Sequence, residues 1–163
     1  PILPPDVSRS LKGSEEYYNK HHREVYEVLI QQELEHKKRV IYQNDFYVAV
    51  CPFVSKSPYE VRIYPKRHQS HFEHIDDNEM MYVADILSTV LKKMKKALND
   101  PSYNYFIHTA PVKDLSSMPS SEFYRWHIEL LPRIKFDAGF EAGTGITMNI
   151  VDPDNAAQVL RDA

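Results

Sequence analysis

The chain has 163 residues, a formal net charge of −3 and a single cysteine. That length suffices for one domain with a buried core, and 42% hydrophobic with 26% charged residues is the balance of a soluble globular protein. The charge excludes a broad basic footprint for nucleic acid, the lone Cys51 excludes an internal disulfide and fits a reducing cytosol, and neither a membrane-length apolar run nor a signal-peptide pattern occurs.

The first residue is Pro1, not Met, as expected of a processed product or of a piece of a longer chain. Residues 1–13 hold three prolines and no apolar period, so they read as a linker or surface arm. Helical spacing runs from Ser14 to about Lys37 through Tyr18, Val25, Val28, Leu29 and Gln32, with a break near His21-His22. Two strands, Arg39 to Gln43 and Phe46 to Cys51, flank the turn signal Asn44-Asp45, and Tyr59 to Tyr64 supplies a third. Asp76 and Glu79 have capping-box spacing at the head of a long helix, whose Met80, Ala84, Leu87, Leu91, Met94 and Leu98 form one apolar stripe. Lys92, Lys93, Lys95 and Lys96 crowd its end and read as a solvated helix terminus. Tyr103 to Ala110 is a further strand, and Lys113 to Ser121 a polar loop. The strand Phe123 to Pro132 follows, then a last strand from Ile146 to Val151 and a short helix capped by Asp152-Pro153. The expected organisation is an arm over residues 1–13 and one domain over 14–163. Its class is α+β: an antiparallel sheet of about five or six strands, one long helix and shorter terminal helices.

Candidate chemistry centres on Phe123 to Pro132. Strand alternation places Tyr124, Trp126, Ile128 and Leu130 on one face and Arg125, His127 and Glu129 on the other. A cation, an imidazole and a carboxylate in line can bind a phosphate or move a proton, or they can be the wet side of a sheet. His68, His71 and His74, spaced by three, either bind zinc or serve as surface and capping histidines. Gly143-Thr144-Gly145 fits a tight turn or bulge better than a phosphate loop, lacking the lysine and long helix of the latter. Cys51 has no activating neighbour in sequence and reads as a buried structural thiol.

Several segments carry a family likeness. They are residues 4–13 (PPDVSRSLKG), Val50-Cys51-Pro52-Phe53, 57–72 (SPYEVRIYPKRHQSHF), 99–111 (NDPSYNYFIHTAP), 126–133 (WHIELLPR) and 139–149 (GFEAGTGITMN). In this order they resemble the C-terminal half of the galactose-1-phosphate uridylyltransferase family, including its plant-type ADP-glucose phosphorylase relatives, within the histidine-triad superfamily. The resemblance implies a histidine-triad-like fold. It also implies a parent hexose-1-phosphate nucleotidyltransferase acting on a nucleotide sugar and a hexose phosphate, in galactose metabolism, as a cytoplasmic dimer. The family's nucleophile is the second histidine of a His-Pro-His motif in the N-terminal half, which takes up the nucleotidyl group. This chain has no His-Pro-His, so it looks like the second half without its catalytic partner half.

The resemblance also implies a structural zinc in the plant-type pattern, whose ligand positions fall here on Glu24, Glu27, His68 and Arg125. A guanidinium has no lone pair to give, so the site is expected to be lost and no cofactor is expected in this domain. A pairing of Arg125 with Glu24 and Glu27 is expected in the metal's stead, with His68 a remnant ligand. His127 and Glu129 occupy degenerate triad positions and are the candidate catalytic residues. Lys135 and Glu141, with Phe136, Phe140 and Arg125, are the candidate substrate-binding residues: Lys135 for phosphate, Glu141 for sugar hydroxyls. Two alternatives stay open, a stand-alone nucleotide-binding or dimerisation module and an independent histidine-triad hydrolase or phosphorylase.

Overall fold

The computed structural model describes residues 4–111, 119–136 and 138–163. The chain begins with helices α1 (Pro5–His21) and α2 (Val25–His36), broken at His22, which takes a left-handed conformation and closes α1. Helix α1 therefore covers most of the stretch expected to be an arm. Pro5 is the first helical residue, where its missing N–H costs nothing. Leu11, Ser14 and Tyr18 give α1 a narrow inward face: Leu11 and Tyr18 pack on the core beneath, and Ser14 is buried.

Five strands follow among the described residues: β1 (Val40–Gln43), β2 (Tyr47–Val50), β3 (Val61–Pro65), β4 (Tyr103–His108) and β5 (His127–Pro132). They form one antiparallel sheet in the order β1-β2-β3-β5-β4. The β1–β2 turn is set by Asn44, whose side-chain Oδ1 accepts from the amides of Phe46 and Tyr47 at 3.3 and 3.0 Å. The expected sixth strand over 146–151 does not form. The sheet ends at β1 and β4, and residues 146–150 pair with neither. Before them lies a short helix, α4 (Gly139–Thr144), closed by Gly145 at φ +69. That conformation suits glycine, so the Gly143-Thr144-Gly145 stretch is a helix end rather than a bulge into a strand. The loop expected over 113–121 lies mostly outside the described residues, and Ser120–Glu122 is a 3-10 turn.

The long helix α3 (Asp77–Ala97) is capped as expected, Asp76 accepting from the amide of Asn78 at 2.8 Å. Glu79 does not reach back to the cap. It turns inward, is buried, and accepts from Tyr47 Oη at 3.1 Å and Gln69 Nε2 at 2.7 Å, beside the Arg67 guanidinium. The buried stripe is correspondingly rotated. Ile86, Val90 and Met94 are its centre, flanked by half-buried Val83 and Leu87, while Met80 and Ala84 face solvent. Replacing Asp76 by Ala is expected to destabilise the fold by about 1 kcal/mol, read as a lowered denaturant midpoint.

Helix α3 and the C-terminal helix α5 (Pro153–Asp162) cover one sheet face, burying Ile63, Trp126, Ile128 and Leu130 against Ile86, Val90, Ala157 and Leu160. Helix α2 covers part of the other face, where Tyr26 and Ile30 pack on Val48, Val50, Tyr64 and Tyr124. Both faces of β5 are thus inside the protein, so the Arg125-His127-Glu129 line is not a wet side. Tyr124 lies in the α2-side cluster, not with Trp126. It precedes the paired strand, which starts at His127, so strand alternation does not govern it.

Candidate functional site

The three polar residues leading into and along β5 go to two separate places. Arg125 is 2% exposed. Its Nε and Nη2 donate to the two oxygens of Glu24 at 2.7 and 2.6 Å, and its Nη1 donates to the carbonyls of Pro65 and Lys66, each at 3.0 Å. Glu24 is the residue just before α2, held there by the His22 break. His68 completes the cluster, its Nδ1 at 2.8 Å from Glu24 Oε2 and its Nε2 at 2.7 Å from the carbonyl of Ser121. A carbonyl and a carboxylate both accept, so both His68 nitrogens carry protons and the ring is an imidazolium. Glu27, the fourth expected member, is elsewhere: it pairs with Arg23 at 3.5 Å on the surface.

The hydrogen bond to Glu24 raises the His68 pKa, against burial. Burial alone would push the Glu24 carboxyl up, but the hydrogen bonds from His68 and Arg125 outweigh it and hold it low. The two signs differ. The His68 contribution to stability is complete below the ordinary imidazole value of about 6.5 and is lost as pH rises through the raised folded value. The Glu24 contribution is present above the ordinary carboxylate range and is lost as pH falls through the depressed value. A melting temperature that falls as pH rises above the ordinary imidazole value of about 6.5, and no longer does so in His68→Ala, is the expected result of a pH series of thermal unfolding.

His127 and Glu129 form the second cluster. His127 is 4% exposed, enclosed by the rings of Tyr26, Tyr64 and Tyr124 and stacked on His108 with centroids 4.6 Å apart. Register brings His108 there: it lies directly opposite His127 across β4 and β5. Burial, then the neighbouring His108, pushes the His127 pKa down to about 3, so the ring is neutral at ordinary pH. Its Nδ1 lies 3.2 Å from the carbonyl of Arg125, which fixes the proton on Nδ1 and leaves Nε2 a free lone pair. Glu129 lies 3.5 Å from His108 and 3.4 Å from Arg62. One donor atom from each of His108, His127 and Glu129 falls within 4.8 Å of the others. Two imidazoles and a carboxylate, one imidazole oriented by a backbone carbonyl, suit zinc or a non-haem iron(II). Sequence reading missed His108, because only the strand register places it beside His127.

The remaining predicted residues cluster on the segment after β5. Lys135 Nζ pairs with Glu141 and also donates to the carbonyl of Met148, closing the segment into a loop around α4. The bond from Lys135 lowers the Glu141 pKa. Phe136 is 78% exposed and Phe140 52%. Lys135, Glu141, Phe136 and Phe140 therefore belong to one arm, whereas Arg125 is committed to Glu24. The His71 and His74 rings lie against each other near the surface at a tilt of 33°, and Cys51 is a buried thiol whose pKa burial pushes up.

The family described as galactose-1-phosphate uridyl transferase, C-terminal domain, matches residues 10–143. The chain belongs to this family. It is 36% identical over 162 residues to the ADP-glucose phosphorylase of Arabidopsis thaliana, covering 99% of this chain and 44% of that protein. A crystal structure of an ADP-glucose phosphorylase from that plant with bound ADP-glucose superposes with a TM-score of 0.86 over 99% of this chain and 50% of that one, at 36% identity. Identity to the galactose-1-phosphate uridylyltransferase of Thermotoga maritima is 31% over 171 residues, 99% of this chain and 52% of the relative. The chain thus spans about half the length of these uridylyltransferase-family relatives. A histidine-triad-like protein of Bartonella henselae shares the fold at 16% identity and a TM-score of 0.52, over 82% of this chain and 93% of that one. Among the described residues no helix is long and apolar enough to cross a membrane.

Proposed function

We propose that this chain works as the C-terminal half of a cytoplasmic hexose-1-phosphate nucleotidyltransferase. It supplies part of a sugar-phosphate pocket and the surfaces on which a nucleophile-bearing half and a second subunit dock. The observation that carries this reading is a contrast. His127, at the degenerate triad position, is buried beneath α2 and neutral, while the arm that carries the Lys135–Glu141 pair turns Phe136 and Phe140 to solvent. A nucleophile must reach a phosphorus atom, and His127 is 4% exposed among the rings of Tyr26, Tyr64 and Tyr124. The arm has what a sugar phosphate needs: a cation for the phosphate, a carboxylate for hydroxyls and aromatic rings for the apolar face of a pyranose. Lys135 and Glu141 pair with each other here and would exchange that pair for substrate. Strand β4 is the second open surface, an edge strand with Tyr103, Tyr105, Phe106 and Ile107 all exposed, suited to burial against another protein unit.

The test mixes this chain with a separately produced upstream half bearing His-Pro-His and follows nucleotidyl transfer from UDP-glucose or ADP-glucose to a hexose phosphate. Transfer in the mixture and in neither half alone is the expected result, and no transfer in the mixture contradicts the reading. In that mixture Lys135→Ala should raise the KM for hexose phosphate by about 10- to 100-fold, the loss of one charge-assisted hydrogen bond of about 1.5–3 kcal/mol. A KM unchanged by that substitution would remove Lys135 from the pocket.

A further inference from the structure

The zinc implied by the family resemblance and the residues present at Glu24, Glu27, His68 and Arg125 do not fit each other. Glu27 is turned to the surface with Arg23. Both oxygens of Glu24 are taken by donors. Both nitrogens of His68 are already engaged, Nδ1 with Glu24 Oε2 and Nε2 with the Ser121 carbonyl. Arg125 is a fixed cation with its Nε, Nη1 and Nη2 all engaged. The Glu24 carboxylate is neutralised by the Arg125 guanidinium, so the cluster has no net negative charge left to attract a dication.

We infer that the Arg125 guanidinium stands in this chain where the family pattern would have a metal, and that Glu24, Arg125 and His68 form a metal-free clamp. The clamp joins four separate segments: the start of α2 through Glu24, the end of β3 and the chain just beyond it through the Pro65 and Lys66 carbonyls and His68, the 3-10 turn through the Ser121 carbonyl, and the approach to β5 through Arg125. A tetrahedral metal ties chain segments together through lone pairs directed at one cation. A planar guanidinium does the same through N–H groups directed outward at acceptors, and its fork matches a carboxylate in bidentate fashion. Unlike a metal, it cannot be lost to a chelator. Docking of α2 over the sheet face that holds His127 is then independent of metal supply, and zinc starvation leaves the fold intact.

Metal at the His108–His127–Glu129 cluster would obscure a simple zinc assay, so the measurement is made in the full chain carrying His108→Ala. Zinc content after purification from zinc-supplemented medium is measured alongside melting with and without a chelator. No stoichiometric zinc and a melting temperature unmoved by the chelator are expected. One zinc per chain that disappears on adding His68→Ala would overturn the inference. A converse arm replaces Glu24 and Glu27 by Cys and Arg125 by His in the same background. The folded triple variant should gain one zinc per chain and, with cobalt(II), the absorption of a tetrahedral thiolate site. A folded triple variant without metal would show that this position is not the metal's and would overturn the replacement. If the triple variant does not fold, the zinc content and chelator response of the His108→Ala chain decide the matter alone.

Discussion

Glu24→Ala should destabilise the protein by about 3–5 kcal/mol, because it leaves the Arg125 charge buried with no counter-charge. Arg125 keeps the carbonyls of Pro65 and Lys66 as acceptors, but these are dipoles, and Nε and Nη2 lose the carboxylate that accepts from them. His68 also loses the acceptor of its Nδ1 proton. Against a total stability on the order of 5–15 kcal/mol, this single change brings the protein near its unfolding threshold, with a melting temperature lowered by roughly 6–20 °C. Glu24→Ala with Arg125→Met removes the orphaned charge and should recover most of the loss. Thermal unfolding of the single and double variants decides it. A double variant no better than Glu24→Ala would mean that the pair itself, not the orphaned charge, supplies the stability.

Trp126→Ala should cost a similar amount, about 3–5 kcal/mol, by a different mechanism. Trp126 is fully buried between Tyr47 and Phe72, whose ring meets it edge to face at 5.1 Å. Truncation opens a cavity beneath α3, and a close-packed interior cannot fill it. The indole also donates from Nε1 to Gln69 Oε1 at 3.1 Å, and Gln69 in turn donates to Glu79 Oε2. Trp126→Phe keeps much of the volume and loses that hydrogen bond, so it should cost well under half as much. The denaturant midpoints of the two variants separate packing from hydrogen bonding. Equal losses would show that the Gln69–Glu79 network, not the ring volume, is what Trp126 supports.

Local chemistry was legible in the chain, and long-range pairing was not. Asp76 and Asp152 cap their helices because a carboxylate beside an apolar period is a local signal. Asn44 sets its turn through bonds two and three residues away. The half of α1 from Ser14 to the His22 break was legible, but its first turns over 5–13 were not, because the inward face is three residues wide and includes a serine, a pattern too thin to register as amphipathic. In the α3 stripe Leu87, Leu91, Met94 and Leu98 meet the core as expected, but Met80 and Ala84 were placed inside where Glu79 and Val83 belong, because Glu79 was assigned to the cap. Its burial depends on Tyr47 and Gln69, which only the fold brings near. The exposed apolar residues of 146–150 alternate like a strand but have no sheet edge beside them.

The same division runs through the sites. A replacement for the metal around Arg125 was expected from the family resemblance, and its Glu24 half is present across 101 residues of sequence. The Glu27 half is absent, because one helical turn further on the side chain points to solvent and finds Arg23. Lys135 and Glu141 meet because both flank one short helix. Arg125 was grouped with them because each was assigned to substrate, whereas its buried side chain lies against Glu24, away from that arm. His108 was invisible because a histidine gains a partner across a sheet only when the register is known.

The central claim is that this half carries no accessible nucleophile of its own, and intact mass tests it most directly. The chain and its His127→Ala variant are incubated separately with UDP-glucose and with ADP-glucose. The unmodified mass is expected in all four samples. A nucleotidyl adduct on the unsubstituted chain that disappears in His127→Ala would contradict it, for it would require α2 to open and His127 to act as the nucleophile.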